Sequence, residues 1–350
     1  MRQRPAVPVA LARSLEELCD ELRRLVRRDV ERRDERELLA IAAQGVGDTS
    51  FALDVPCERA LERWQRELAR RAPLSLLTEE RGWTHLGPGR RGVRELRDFD
   101  HGGWCVVIDP IDGTRNLASG LRSAWTAIAL VPPVSRPPRQ RDVVAGLLSE
   151  LPTALMSRWR RLSSLGARPT RELHELGRAR AAARRLRRAV LATPRGFDPA
   201  APGYWSFFRY TSAQRPLLAA VEARFFERME REHGLALRHA FDDQYISNAG
   251  QLALLALGTY RMIVDARAHV SARGGPQGTS SKPYDVAAAL AVASAAGCVV
   301  QAPDGSPLDF PLDATTPVSF AGYANPRIAR VAGPLVAAEL ARGCRAGARR

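Results

Sequence analysis

Two aspartates stand three residues apart in the segment Asp109-Pro-Ile-Asp-Gly-Thr-Arg-Asn116, directly after an apolar run. That run, Trp104–Ile108, is continuous in apolar residues and predicts a buried strand with both carboxylates at its end. Carboxylate oxygens are the ligands that hard divalent cations prefer. Gly113 and Thr114 should open a short helix whose free N–H groups can hold an anion. The segment therefore predicts a combined metal and phosphate site; an acidic turn with Asx-type capping is the alternative.

Two further acidic elements fit the same site. Glu79-Glu80 follows the apolar segment Leu74–Leu77, again at the end of a predicted strand. Asp285 lies in Lys282-Pro-Tyr-Asp-Val-Ala, at a predicted helix start. Taken alone, the glutamate pair is typical of a solvated loop, and Asp285 is typical of a helix N-cap. No G-x-S-x-G segment and no H-E-x-x-H segment is present, so neither a serine nucleophile nor zinc-dependent hydrolysis is indicated.

These residues resemble the inositol monophosphatase family, the magnesium-dependent, lithium-sensitive phosphomonoesterases related to fructose-1,6-bisphosphatase. The family's first signature is similar to Asp109–Asn116, its upstream acidic pair to Glu79-Glu80, and its second signature to Tyr284-Asp-Val-Ala287. The order and the approximate separations also agree, from about Gly45 to Ala337. The resemblance implies a layered α/β/α/β/α sandwich of the sugar-phosphatase type, which belongs to the α/β (α+β) class.

The resemblance also implies a role for each matched residue. The implied ligands of two or three Mg²⁺ ions, with Mn²⁺ as an alternative, are Glu79, Asp109, the carbonyl of Ile111, Asp112 and Asp285. Thr114 and Asp54, together with Glu79, would activate the attacking water. The N–H groups of Gly113 and Thr114 would hold the phosphate. We therefore expect a magnesium-dependent phosphomonoesterase whose substrate is a small anionic phosphate ester.

Several features leave the substrate open. Tyr284 stands where the family's second signature carries Trp, and Ala42–Thr49 lacks the lysine that many members have there. Inositol phosphates, sugar phosphates and 3′-phosphoadenosine nucleotides are the candidate substrates, and a non-catalytic polyanion-binding protein is the alternative. Ser247 either contacts the substrate or caps a helix. Lys282 either reaches the substrate phosphate or extends past the acidic cluster into solvent.

The elements that position these residues alternate between helices and strands. A capping box at Ser14-Leu-Glu-Glu17 predicts the start of a helix that runs to about Val30, and Asp54 suits the N-cap of a second helix. Further strands are expected at Thr126–Val131, Val143–Leu148, Arg187–Thr193, Tyr260–Val264, Cys298–Gln301 and Pro317–Phe320. Further helices are expected at Thr211–Glu232, Asn248–Leu257, Asp285–Ala296 and from Asn325-Pro326 onward. We place the metal and phosphate site in residues 1–150, and the substrate pocket with the last metal ligand in residues 151–350.

Two segments are expected to be irregular or strongly basic. The stretch between Glu79 and His101, rich in glycine and arginine, is predicted to be a loop. Residues from Arg158 onward are predicted to form a loop and then a basic helix, Leu173–Arg188. The run Arg178–Arg188 has no interleaved aromatic residues for base stacking, so a solvated helix face is favoured and a nucleic-acid partner is not expected.

The composition is that of a globular protein with a strongly positive surface. The 350 residues include 53 Lys and Arg against 38 Asp and Glu, a net charge of +15, and Lys282 is the only lysine. This preference for arginine over lysine is typical of a bias in genome composition. The positive charge that it places on the surface also favours anionic partners. The five cysteines are scattered without a C-x-x-C pair, and the longest near-apolar run, Val286–Val300, is shorter than the ~20 residues of a spanning helix. The sequence thus predicts a cytoplasmic protein with no membrane partner, and leaves a homodimer open.

Overall fold

A computed structural model describes residues 5–44, 49–176 and 183–347 as stacked layers of helix and sheet. The helices are α1 (Val9–Val30), α2 (Glu35–Leu38), α3 (Val55–Ala69), α4 (Thr114–Ala118), α5 (Arg215–His233), α6 (Asn248–Ala256), α7 (Arg267–Ala272), α8 (Pro283–Ala296) and α9 (Pro326–Gly347). The strands are β1 (Ile41–Gln44), β2 (Thr49–Phe51), β3 (Leu74–Thr78), β4 (Gly82–Gly89), β5 (Gly92–Glu95), β6 (Trp104–Asp112), β7 (Ala124–Val131), β8 (Ala145–Leu151), β9 (Arg158–Ser163), β10 (Thr170–Leu176), β11 (Ala183–Val190), β12 (Gly203–Phe207), β13 (Ala240–Phe241), β14 (Tyr260–Asp265), β15 (Val299–Gln301) and β16 (Phe320–Tyr323).

The layers alternate in the order that the sequence predicted. Helices α1 and α3 pack on one face of a nine-stranded sheet, and α6 and α8 pack on its other face. The same two helices contact a five-stranded sheet of order β13-β12-β14-β16-β15, whose outer side is covered by α5 and α9. Because helices cover both faces of the larger sheet, its central strands β7 and β8 are buried at every position. The expected α/β/α/β/α sandwich is confirmed.

One parallel pair in the larger sheet brings two predicted metal ligands to the same edge. The strand order is β11-β10-β9-β8-β7-β6-β3-β4-β5, and all neighbours are antiparallel except β3 and β6. Leu77 of β3 pairs with Val107 of β6. Glu79 lies two residues after Leu77, and Asp109 lies two residues after Val107. The two acidic residues therefore lie side by side at this edge of the sheet.

Two segments expected to lack strands contain hairpins instead. The predicted loop between Glu79 and His101 holds the antiparallel strands β4 and β5. The predicted helix Leu173–Arg188 is wrong, because β10 and β11 pair over this region, and β9 extends the sheet before them. Arginine, leucine and alanine favour helices locally, but cross-strand pairing outweighs that preference here. Of the basic run Arg178–Arg188, residues 178–182 lie outside the described ranges.

Several helix and strand ends also differ from the predictions. Helix α1 begins at Val9 rather than Ser14; the Ser14 hydroxyl lies inside the helix and accepts a hydrogen bond from Trp64 Nε1 at 2.9 Å. The strand predicted at Pro317–Phe320 is displaced to β16. No helix in the described ranges combines the length and the apolar character needed to cross a membrane.

Candidate metal and phosphate site

Three carboxylates converge where β6 ends. Asp109, Asp112 and Asp285 each place an oxygen within 4.8 Å of the others, and Asp109 and Asp112 are only 5% and 9% exposed. Residues three apart on a regular strand point to opposite faces. The pairing of β6 with β7 breaks between Asp109 and Asp112, because Asp109 lies opposite Ala127 and Asp112 lies opposite Trp125. This β-bulge adds one residue to β6 and turns both carboxylates to the same side.

Asp112 is held by the N-terminus of α6. Its Oδ2 accepts hydrogen bonds from the Ser247 hydroxyl at 2.7 Å and from the backbone N–H of Ala249 at 2.5 Å. Burial raises the pKa of Asp112 to about 6, although these hydrogen bonds act in the opposite direction. These hydrogen bonds fix the Asp112 carboxylate where it lines the cavity.

Asp285 enters the site from α8, a helix that is buried between the two sheets. The sequence predicted Asp285 as the N-cap of this helix, but Lys282 occupies that position and Asp285 is the third residue of the helix. Asp285 Oδ2 accepts a hydrogen bond from the backbone N–H of Lys282 at 2.7 Å. Burial, and after it the charge of Asp112, raises the pKa of Asp285 to about 8. Burial raises the pKa of Asp109 well above its usual range, and Asp112 contributes to this effect. Without cations, the cluster therefore binds protons at neutral pH.

The remaining predicted metal ligands line the same cavity of about 150 Å³. Glu79 follows β3 directly, and its charge helps to raise the pKa of Asp109. The Ile111 carbonyl accepts a hydrogen bond from the Thr114 hydroxyl at 2.9 Å, while Ile111 N–H donates to Asp109 at 2.9 Å. The three clustered side chains offer only carboxylate oxygens, a donor set that fits Mg²⁺ or Mn²⁺.

Asp54 and Thr114 form the predicted pair. Thr114 Oγ1 lies 3.3 Å from Asp54 Oδ1, and Asp54 Oδ2 accepts a hydrogen bond from the backbone N–H of Phe51 at 2.8 Å. Asp54 occupies the N-cap position of α3, but its side chain does not cap that helix as the sequence predicted. Burial raises the pKa of Asp54 to about 6, against the hydrogen bonds from Phe51 and Thr114. The pair thus places a carboxylate behind a hydroxyl at the cavity wall.

Gly113 fills a position that other residues would strain. Its φ of +102° lies in the left-handed region, and an added Cβ would approach Ser247 Cβ to 3.0 Å and the Ile246 carbonyl to 3.1 Å. The turn before α4 therefore packs closely against the loop before α6. This contact places Thr114 and Asp112 at the same cavity.

The two residues predicted to contact the phosphate or the rest of the substrate both line the cavity, and both have protein partners. The Ser247 hydroxyl donates to Asp112 and accepts from the Gly250 N–H at 2.9 Å, so it caps α6. Lys282 Nζ donates to the Thr315 carbonyl at 2.9 Å. A direct contact of either residue with a substrate remains a prediction.

Arg267, which the sequence did not single out, also lines the cavity. The Arg267 side chain is 6% exposed; its Nε and Nη2 donate to the two oxygens of Asp265 at 2.9 and 2.7 Å. Its guanidinium also lies 4.7 Å from the ring centre of Phe208. The available signal was Asp265 at the end of the apolar strand Tyr260–Val264, which is the pattern that drew attention to Asp109.

Comparison with known proteins gives similarity in structure and none in sequence. No protein-family model and no curated protein sequence matches the chain. Among solved structures, Leishmania major fructose-1,6-bisphosphatase in holo form matches with a TM-score of 0.63 and 13% identity, over 98% of this chain and 96% of that one. The inositol monophosphatase SaIMPase-II, bound to inositol monophosphate, matches with a TM-score of 0.55 and 15% identity, over 98% and 99% of the two chains. Thermotoga maritima inositol monophosphatase matches with a TM-score of 0.52 and 17% identity, over 94% and 96%.

These structures align along almost their entire length, and they have the architecture that the signature residues predicted. The chain therefore has the layered fold of the inositol monophosphatase and fructose-1,6-bisphosphatase structures.

Proposed function

We propose that this chain is a metal-dependent phosphomonoesterase of the inositol monophosphatase family, with Mg²⁺ as its cofactor. The observation that carries the proposal is the convergence of Asp109, Asp112 and Asp285 at one cavity. Buried carboxylates this close repel one another, and a fold gains nothing from such an arrangement unless cations offset the repulsion. The Asp54–Thr114 pair at the same cavity supports hydrolysis rather than metal storage.

The protein residues would position the cations and handle one proton. Glu79, the Ile111 carbonyl and the three clustered aspartates would hold the ions. When bound, Mg²⁺ lowers the pKa of a coordinated water, neutralises the phosphate and stabilises the leaving alkoxide. Mn²⁺ has similar ligand preferences and would be an alternative.

The Thr114 hydroxyl carries a single hydrogen, which can point to Asp54 or to the Ile111 carbonyl. When it points to Asp54, the oxygen lone pairs face the cavity and can accept a hydrogen bond from the attacking water. Asp54, with a pKa of about 6, is mostly ionised at neutral pH and can still take up a proton. The pair would thus orient the water and accept its proton.

The non-phosphate part of the substrate would lie against a wall of mixed character. Tyr210 supplies aromatic surface beside the buried Phe208, and Arg115 supplies positive charge, whereas the charge of Arg267 is paired with Asp265. Inositol monophosphates, sugar phosphates and 3′-phosphoadenosine nucleotides are the candidate substrates for such a site.

The proposal is tested by release of inorganic phosphate from a panel of these three substrate classes, with Mg²⁺ and with a chelator. We expect at least one class to be hydrolysed with Mg²⁺, no hydrolysis with the chelator, and inhibition by Li⁺, as the family resemblance implies. The matched control is Asp100→Asn, a substitution of an exposed aspartate, which should keep full activity. If no phosphate ester is hydrolysed while Mg²⁺ still stabilises the fold, the chain is a binding protein and the proposal is wrong.

A further inference from the structure

The three outermost strands on one side of the larger sheet, β9, β10 and β11, carry arginines on both faces. On the face towards α1, each of the three arginines has a carboxylate partner. Arg161 pairs with Asp20 at 2.8 Å, and Glu172 pairs with Arg185 at 3.0 Å and with Arg188 at 3.4 Å.

The opposite face carries five arginines, which we call the arginine face. Directly paired residues of antiparallel strands share a face, and Arg171, Leu173 and Glu175 of β10 pair with residues of both neighbouring strands. The arginines that this register places on one face are Arg158, Arg160, Arg171, Arg184 and Arg187.

Among the residues that the structure describes, two carboxylates form ion pairs with the arginine face. Glu175 pairs with Arg158 at 2.9 Å and with Arg184 at 3.4 Å, and Glu150 lies 3.4 Å from Arg160. Arg171 and Arg187 form no ion pair with any residue that the structure describes, and both are exposed. The face therefore has an excess of positive charge, held on side chains that cannot lose their protons.

The apolar groups of this face lie below its charges. Arg160, Arg171 and Arg187 line a shallow depression of about 250 Å³ that Leu162, Leu173 and Leu257 also line. Leu162 is fully buried and Leu173 is partly buried, whereas all three arginines are exposed. A membrane-binding surface would present apolar side chains outward. Recessed leucines beneath projecting guanidinium groups fit a hydrophilic polyanion better than a bilayer.

The spacing of the arginines favours an extended ligand. Arg160 and Arg187 lie on either side of Leu173, two strands apart, which corresponds to about 10 Å. Arg171 lies two residues farther along β10, or roughly 7 Å. None of the residues of this face, as its register defines them, is aromatic, so unpaired bases would find no ring to stack on.

We propose that the arginine face binds the phosphate backbone of double-stranded nucleic acid without reading base sequence. The sequence analysis favoured a solvated helix face for this basic segment; the strand geometry changes that expectation because it gathers arginines from three strands onto one surface. Guanidinium groups make bidentate contacts with phosphate oxygens, and each neutralised phosphate releases counterions. This inference does not depend on the proposed phosphatase activity.

The test measures fluorescence anisotropy of a labelled DNA duplex across a salt series, with the full chain. The triple variant Arg160→Gln/Arg171→Gln/Arg187→Gln removes the arginines that line the depression. The matched control, Arg59→Gln/Arg66→Gln/Arg70→Gln, removes the same charge from exposed arginines of α3 and its C-cap that form no ion pair in the described part of the chain. Thermal melts establish that both variants fold. The single variants Arg171→Gln and Arg187→Gln break no described ion pair. They replace the triple variant in the salt series if that variant does not fold.

We expect wild type to bind the duplex, and the logarithm of its association constant should fall linearly with the logarithm of the salt concentration. The triple variant should lower that slope by roughly 2 to 3, since each phosphate contact contributes about 0.9. Between about 50 and 200 mM salt, the triple variant should therefore lose roughly 40-fold less affinity than wild type does. The control should keep the wild-type slope, and each single variant should lower it by about 0.9.

Three results would overturn the proposal. The first is no binding of wild type to the duplex at low salt. The second is an equal fall in slope for the triple variant and the control, which would mean that net charge alone attracts the duplex. The third is binding of wild type to vesicles that contain anionic phospholipid but not to the duplex, with vesicle binding lost in the triple variant and kept in the control.

Discussion

Replacing Asp112 by Asn should stabilise the metal-free protein while weakening its response to Mg²⁺. Asp112 is 9% exposed, and burial raises its pKa from 3.8 to about 6. A shift of about two units corresponds to roughly 3 kcal/mol of unfavourable free energy for the charged form. Asn keeps an oxygen that can accept from Ser247 and Ala249, and carries no charge. The substitution should therefore raise the free energy of unfolding of the metal-free protein by about 3 kcal/mol at pH 8.

The pH dependence of this gain follows from the sign of the shift. The native state binds a proton at Asp112 more tightly than the unfolded state does, so ionisation of Asp112 destabilises the native state. The cost is absent below the unfolded pKa of 3.8, grows as the pH rises, and is complete above the native pKa of about 6. The advantage of Asp112→Asn over wild type should then be large at pH 8 and small at pH 4.

Thermal melts of chelator-treated protein, at both pH values and with added Mg²⁺, measure all of these effects. With an unfolding entropy of about 2.1 cal/mol/K per residue, 1 kcal/mol shifts the Tm of a chain of 350 residues by roughly 1–2 °C, so a gain of about 4 °C is expected at pH 8. Millimolar Mg²⁺ should raise the Tm of wild type more than that of the variant. The exposed control Asp100→Asn should change neither quantity. A metal-free variant that melts below wild type at pH 8, or gains equally at pH 4, would refute the assignment of repulsion to this cluster.

Three further predictions concern neighbouring residues. Thr114→Ala should lower kcat by a factor of about 10²–10⁴. The Mg²⁺ concentration for half-maximal rate should not change, because the predicted ligands are carboxylates and a carbonyl rather than this hydroxyl. A Mg²⁺ titration of initial rates checks this, and a shift as large as that of Asp112→Asn would contradict it. Gly113→Ala should lower the free energy of unfolding by about 1–3 kcal/mol, because φ is +102° and the new Cβ would approach Ser247 to 3.0 Å; urea denaturation measures it. Arg267→Gln leaves Asp265 charged and buried, so it should cost about 3–5 kcal/mol near neutral pH. That loss should shrink in acid, since the pKa of Asp265 is lowered in the native state.

The cluster of acidic residues was predictable because its signals are local. A continuous apolar strand followed by Asp109-Pro-Ile-Asp112 predicted where two carboxylates would meet. The same short segment predicted a helix start at Gly113 and Thr114, and α4 begins at Thr114. The layered fold followed from the resemblance of these segments to a known family, and the structural comparisons confirm it.

The parts that were not predicted depend on contacts between distant residues. The β10–β11 hairpin consists of residues that favour helices locally, and its pairing is set by neighbours across the sheet. Arg267 reaches the cavity because α7 follows β14 directly and Asp265 fixes its guanidinium. Asp265 at the end of an apolar strand marked this region, but whether Arg267 reaches the cavity depends on which layer that strand joins.

The bulge in β6 determines which face of the sheet two predicted metal ligands point to. Asp109 and Asp112 face the same side only because β7 spans the interval with one residue fewer. Inserting one residue into β7 between Trp125 and Ala127 would restore regular pairing and keep both aspartates, yet would rotate one of them to the far face of the sheet. The site therefore tolerates changes of side chain at these positions more readily than changes of length. Anyone who transfers this segment to another scaffold must transfer the irregular pairing with β7 as well, since the aspartates alone would not converge.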